Sequence, residues 1–245
     1  MNQNQAVVQT IEKLWWIATL WQINHYIFEI KECEWKTKTP FASIRRIVQE
    51  YTKEIYKIKP WLYWLLKFKK INENKWFIIE TDVNKNSKDI EEFNHYYYQG
   101  LLTEIWNLES YFTYVPAQDQ NKMFLNKRLW DVVTTGKMFE FWYEEIIRRA
   151  RTIDVIYFNK RKMPSYFYEV EHSTDIQNSL LKFNELQDFN SNFIIVADNV
   201  RRRDFDSKIS QIAFDEIRNR VKFLDYEKLS QIHTKTFELH MAKTF

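Results

Sequence analysis

Apolar and polar positions divide the chain into a helical opening and a longer stretch in which helices alternate with strands. Residues 5–16 place Val8, Ile11, Leu14 and Trp15 at helical spacing, and residues 20–30 form a second amphipathic segment. A third helix opens at Pro40, with Thr39 as N-cap and proline in the first helical position. On it Phe41, Ile44, Val48 and Tyr51 share one face, while Ser43, Arg45, Arg46 and Gln49 point elsewhere. Strand patterns follow at 55–58, 62–68 and 76–80, then a polar, aperiodic linker at 81–90. The remainder predicts a helix (90–109), a strand (111–116), an irregular section (117–150) and strands at 152–158 and 166–171. After these come a helix (175–188), a strand (193–197), a helix (206–219), a short strand (221–224) and a helical end. Residues 193–197 read Phe-Ile-Ile-Val-Ala, the unbroken apolar run of a strand covered on both faces. The pattern predicts two domains, 1–80 and 91–245, of mixed helix and strand.

The pair of strands at 152–158 and 166–171 carries the chemistry. Alternate side chains of a strand share a face, so Glu169 and Glu171 project to one side and Val170 enters the core. Asp154 heads the preceding strand, and the basic hairpin at 159–165 is short enough to bring all three carboxylates to one end of the sheet. Three convergent carboxylates repel one another unless a cation sits between them, and hard oxygen ligands suit Mg²⁺ or Mn²⁺. His172 follows Glu171 and faces away from it. Glu144 and Glu145 read instead as a helix face balanced by Arg148 and Arg149 at i,i+4.

Fourteen residues separate Asp154 from Glu169, and Glu171 completes an Asp-x14-Glu-x-Glu pattern on a hairpin followed by a helix. This resembles the PD-(D/E)XK nuclease superfamily, whose core runs αβββαβ. The resemblance implies a restriction-endonuclease-like core with a mixed sheet and metal-assisted phosphodiester hydrolysis. Asp154, Glu169 and Glu171 would be its catalytic metal ligands, and Glu104 on the preceding helix a further ligand. Glu171 stands where the superfamily usually has lysine. Gln177 and Lys182 lie on the next helix, where either is a candidate to face the DNA backbone and Lys182 a candidate partial substitute for that lysine. Arginines also follow the equivalent of strand 193–197 in relatives, which implies phosphate contacts for Arg201, Arg202 and Arg203. Upstream, Thr-Lys-Thr-Pro-Phe-Ala-Ser-Ile-Arg-Arg-Ile-Val and Ile-Tyr-Lys-Ile-Lys-Pro-Trp-Leu-Tyr-Trp-Leu are similar to the HARE helix-turn-helix, a winged-helix module. That resemblance implies that Arg45, Arg46 and Gln49 contact double-stranded DNA. It also suggests sensing of modified bases. Trp61 departs from the module, because glycine usually follows that proline.

The expected activity is therefore a Mg²⁺- or Mn²⁺-dependent DNA endonuclease of the restriction type, working as a homodimer on two-fold symmetric sites. The competing reading is a non-catalytic DNA-binding regulator with a degenerate nuclease fold, which Glu171 favours. An RNA-directed nuclease ranks last, since no RNA-recognition motif is present. A net charge of +3 adds little, but basic clusters at 45–46, 148–151, 160–162 and 201–203 concentrate it. Cys33 is the only cysteine, no transmembrane run is apparent, and the first residues lack signal-peptide character. Cytoplasmic residence without a membrane partner is expected. Only two glycines occur, where about 17 are usual for this length, against ten tryptophans. Trp15, Trp16, Trp21, Trp61, Trp64, Trp106 and Trp130 stand where turn glycines are expected.

Overall fold

Asn2 and Thr19 each begin a helix by accepting a hydrogen bond from the backbone N–H three residues on, and Gln5 and Gln22 return the bond to the cap. A computed structural model describes residues 1–69, 80, 84, 87–140, 143–173 and 175–243. The chain divides into two units, Met1–Lys85 with Thr234–Phe245, and Asn86–His233. The first contains α1 (Gln3–Lys13), β1 (Ile17–Thr19), α2 (Leu20–Tyr26), α3 (Pro40–Glu50), β2 (Ile55–Lys59) and β3 (Leu62–Leu65). Its three strands form an antiparallel sheet in the order β1-β3-β2. Ala6, Val7, Ile11, Leu20, Ile23, Ile44, Ile47 and Val48 pack against that sheet. On α3 the buried face is Ile44, Ile47 and Val48, while Phe41 is exposed. Strand β1 is too short for its period to show in the sequence. The strand expected at 76–80 lies outside the described residues, Glu80 excepted.

Helix α1 stops at Lys13 because the chain turns left-handed. Trp15 N–H bonds Glu12 O at 3.2 Å and Trp16 N–H bonds Ile11 O at 2.9 Å, with φ of 65° and 72°. This is a Schellman cap, whose left-handed position normally belongs to glycine. Trp61 repeats the theme at φ 63°, after Pro60 in the β2–β3 turn. Trp21, Trp64, Trp106 and Trp130 correct the expectation, because they lie in helices, a strand or a 3-10 turn without positive φ. A bulky left-handed residue costs about 1–2 kcal/mol, and Trp15 is 65% exposed, so little packing offsets that cost. Trp15→Gly should therefore raise the thermal midpoint by about 2–4 °C, measured by differential scanning calorimetry; an unchanged or lower midpoint would refute the strain argument.

The second unit begins with α4 (Lys88–Leu108), inside the expected linker, capped by Ser87 Oγ. Then follow β4 (Phe112–Tyr114), β5 (Met123–Phe124), β6 (Lys127–Arg128), α5 (Glu144–Ala150), β7 (Val155–Phe158) and β8 (Pro164–Glu171). The chain continues through α6 (Ile176–Asn184), β9 (Asn192–Ala197), α7 (Arg202–Ile209), α8 (Asp215–Arg218), β10 (Val221–Asp225) and α9 (Tyr226–Lys243). The main sheet is mixed, in the order β10-β9-β8-β7-β4. Strands β4, β7 and β8 are antiparallel, while β8, β9 and β10 run parallel. The parallel half needs crossovers, which α6 and then α7 with α8 supply. Phe167, Phe183, Phe193, Ile195, Leu180 and Phe205 fill the core on one face. Gly100 leaves the space on α4 that the Phe124 ring occupies.

Three boundaries differ from the pattern reading. The helix expected at 206–219 is broken between α7 and α8, where Arg218 donates to the carbonyls of Ile209, Ser210 and Gln211. The strand expected from 152 starts at Val155, since Thr152 and Ile153 bond back to Arg149 and Ala150 as the end of a helical turn. Residues Thr234–Phe245 group with the first unit, where Phe237 meets the Trp21 ring at 4.0 Å and Glu238 accepts from Asn24 at 2.9 Å. Among the described residues, no helix is long and apolar enough to cross a membrane.

Candidate active site

Strand alternation puts Glu169 and Glu171 on one side of β8, and both accept a hydrogen bond from Ser179 on α6, the first at 3.0 Å. Asp154, just before β7, reaches the same strand: its Oδ2 accepts from Val170 N–H at 2.7 Å. That bond fixes the carboxylate beside the glutamates. All three residues are buried, at 9%, 2% and 4% exposure. Lys182 lies two α-helical positions short of the end of α6, and its Nζ sits 2.7 Å from Glu169 Oε2 and 3.1 Å from Thr152 O. The second glutamate oxygen, Glu169 Oε1, is buried without a hydrogen-bond partner.

Burial of this many acids has a cost that the titration behaviour records. Desolvation and the neighbouring Asp154 charge push Glu169 up to about 8, against the pull of Lys182. Desolvation pushes Glu171 up to about 7, partly offset by the Ser179 hydrogen bond. Asp154 is also raised by burial, with the His95 and Lys182 charges opposing. Lys182 is raised because Glu169 and Asp154 outweigh its own desolvation. Burial is the largest cause in all three acids, with the charges around them secondary.

Two residues beside Asp154 were not found in the sequence: His95, whose Nε2 lies 3.6 Å from Asp154 Oδ1, and Asp119, whose Oδ2 lies 3.9 Å from the same nitrogen. The hairpin that gives Asp154 and Glu169 their spacing is local, whereas His95 comes from the preceding helix and Asp119 from the irregular section. Their only sequence signal is that His95 and Gln99 share one face of α4 at i,i+4. Glu104 is the ligand that the resemblance implied on that helix. It lies about 180° around α4 from His95 at 100° per residue, and its carboxylate engages His233 Nε2 at 2.8 Å.

The other expected contact residues divide. Arg46 and Gln49 are exposed on α3. Arg45 is partly exposed, with its guanidinium 4.9 Å from the Trp61 ring centroid and 4.0 Å from Glu238 Oε1. Arg201 donates to His172 O and Asp204, and Arg202 stacks on Phe223 and reaches Asp206, so neither guanidinium is unengaged. Arg203 is exposed. His172 points away from Glu171 toward Asn94, at 3.1 Å. Arg149, expected to balance Glu145, instead forks onto Glu185.

The cluster gathers three buried carboxylates, one with an orphaned oxygen, and an ammonium held in place on two sides. Comparisons with curated proteins and with solved structures gave no match. Residues 78–244 match the Type II restriction enzyme NmeDI C-terminal domain, a span that contains the whole second unit and Asp154, Glu169, Glu171 and Lys182. The chain therefore belongs to this family of type II restriction enzyme domains.

Proposed function

We propose that this chain is a Mg²⁺- or Mn²⁺-dependent endonuclease that hydrolyses phosphodiester bonds in double-stranded DNA, with a PD-(D/E)XK-type site built from Asp154, Glu169 and Glu171. The observation that carries the reading is the buried meeting of these three acids with Lys182 Nζ 2.7 Å from Glu169. The orphaned Glu169 Oε1 fits a metal ligand, because a buried carboxylate oxygen without a donor is otherwise costly. A divalent ion held by these residues supplies a lowered pKa for a bound water and charge stabilisation at the phosphate. The chain's own groups do the rest. Val170 N–H sets the orientation of Asp154, Ser179 holds both glutamates on one side, and Lys182 presents a cation from α6 in place of the lysine usual at position 171.

With the β5–β6 hairpin and α5 set aside as insertions, the second unit runs α4-β4-β7-β8-α6-β9, the order expected of the superfamily core, which supports the assignment. The first unit's three helices and antiparallel β1-β3-β2 sheet support a winged helix of the HARE kind. Arg46 and Gln49, exposed on α3, are its base- or phosphate-contacting candidates. Arg203 is the phosphate candidate of the second unit. A homodimer on palindromic sites, and discrimination of modified bases, complete the proposal. The experiment is plasmid and oligonucleotide cleavage with Mg²⁺, Mn²⁺ or EDTA, on substrates with and without base modification. Metal-dependent cutting is expected. Tight binding without cutting on every panel, which Glu171 in the lysine position favours, would instead make the chain a DNA-binding regulator.

The titration shifts predict how the metal-free protein behaves. The folded state holds protons on Glu169 and Glu171 up to about 8 and 7, whereas the unfolded chain releases them near 4.5. Folding then binds protons across that window, so stability falls as pH rises through it. His95, raised to about 9, acts with the same sign, since its stabilising charge is lost above that value. The thermal midpoint in EDTA should therefore be lower at pH 8.5 than at pH 6, by roughly 5 °C. Added Mn²⁺ should raise it more at pH 8.5, where the ligands are deprotonated. Equal midpoints at the two pH values would contradict the assigned protonation.

A further inference from the structure

We infer that His95, Asp119 and Asp154 form a second cation subsite, on the opposite side of Asp154 from the glutamates, suited to a first-row transition ion such as Mn²⁺ rather than to Mg²⁺. The inference rests on the nuclease reading only through Asp154, which both subsites share. One ligand atom from each of the three residues lies within 4.8 Å of the others. His95 Nδ1 sits 3.2 Å from Val170 O, and only a protonated nitrogen can bond a carbonyl, so the hydrogen is on Nδ1. A backbone carbonyl on one imidazole nitrogen is the usual way that a metal-binding histidine is oriented. Nε2 then faces two carboxylates, at 3.6 Å from Asp154 Oδ1 and 3.9 Å from Asp119 Oδ2. Both separations exceed hydrogen-bond length. Ligands about 2.1 Å from one ion stand roughly 3 Å apart at right angles and roughly 4.2 Å apart when opposed. The observed spacings fall between those limits.

A second observation points the same way. Gln99, fully buried, donates its amide to Asp119 Oδ2 at 2.9 Å and to Asp154 O at 3.1 Å, while its own Oε1 has no partner. The amide thus fixes Asp119 and ties it to the Asp154 backbone. Access exists as well: a surface recess of about 150 Å³ lined by Glu91, Glu92, His95, Tyr96 and Val170 opens onto the imidazole. Of its two glutamates Glu92 pairs with Lys122 at 3.5 Å, and Glu91 favours entry of a cation. Imidazole beside carboxylates selects the softer first-row ions over Mg²⁺. The groups facing His95 are Asp119, Asp154, the Val170 carbonyl and the Tyr96 ring, so without an ion the imidazole acts as a counter-charge to the two acids.

The test is Mn²⁺ binding to the DNA-free, full-length chain, by calorimetry and pulsed EPR. Two bound ions and a nitrogen coupling from imidazole are expected. His95→Gln and Asp119→Asn should each remove one ion, and His95→Gln should abolish the nitrogen coupling, while Glu169→Gln removes the other ion and leaves the coupling in place. Near-ultraviolet circular dichroism checks that each variant folds, and the Asp119 variant supplies the answer if the His95 variant does not. An absent nitrogen coupling, or unchanged stoichiometry in both variants, overturns the subsite. The two readings separate cleanly: a coupling without DNA cleavage leaves the subsite standing and removes the nuclease, and cleavage in Mn²⁺ without the coupling does the reverse.

Discussion

Asp154→Asn should lower metal-dependent DNA cleavage by about three orders of magnitude while leaving DNA affinity within a few-fold of the native chain. The substitution is chosen because Asp154 has two jobs. Its Oδ2 accepts the Val170 N–H at 2.7 Å, and its charge is the one shared between the two sides of the site. Alanine would remove both, leaving a buried N–H unsatisfied at about 1–3 kcal/mol, so a loss of activity would mix chemistry with stability. Asparagine keeps an acceptor of the same shape and removes only the charge. It should also leave thermal stability near native in EDTA, since a buried carboxylate is expensive to ionise. The readouts are single-turnover cleavage, binding by fluorescence anisotropy and a melting curve. Cleavage within tenfold of native, with the fold intact, would remove Asp154 from the metal centre. Loss of binding in parallel with cleavage would point to a role in holding DNA.

The hairpin and its acids were legible because their spacing is local. Alternation alone puts Glu169 and Glu171 together, and one turn brings Asp154 to them. Element positions followed for the same reason: the unbroken apolar run of β9 can only be covered on both faces, and Pro40 can only open a helix. What the pattern could not carry were contacts between distant segments. His95 lies 59 residues before Asp154, with no spacing rule between helix and strand, and Glu104, the residue of α4 that the resemblance implied, engages His233. Arg45 and Arg201 have partners that the pattern could not show either. A basic residue reads as solvated until its partner is seen, and Trp61, Glu238, Asp204 and the His172 carbonyl come from other segments or from local geometry. The left-handed tryptophans were partly visible. A helix end and a Pro-containing turn demand positive φ whatever residue is there, which marked Trp15, Trp16 and Trp61. Trp21, Trp64, Trp106 and Trp130 had no such demand behind them.

Lys182→Ala should lower cleavage by about a hundredfold, the loss expected when one fixed charge facing the reacting phosphate is removed. The argument is positional. The lysine usual at position 171 would project from β8 on the side of Glu169; Lys182 delivers an ammonium to Glu169 from α6 instead, and Thr152 O holds it there. Its cation also counters the charge that raises Glu169, so its removal should push that carboxyl further up and shift the pH–rate profile to higher pH. A purely structural lysine would change stability without moving that profile. Lys182→Arg is a poor substitute, since a planar guanidinium cannot occupy the pocket of a compact ammonium held at two oxygens. The informative variant is Glu171→Lys in the Lys182→Ala background. If the ammonium's location and not its residue of origin is what matters, the double variant should recover about tenfold over Lys182→Ala alone. Lys182→Ala cutting at the native rate with an unshifted profile would assign the ammonium to packing, and a double variant no better than the single one would show that position 171 no longer accepts the role.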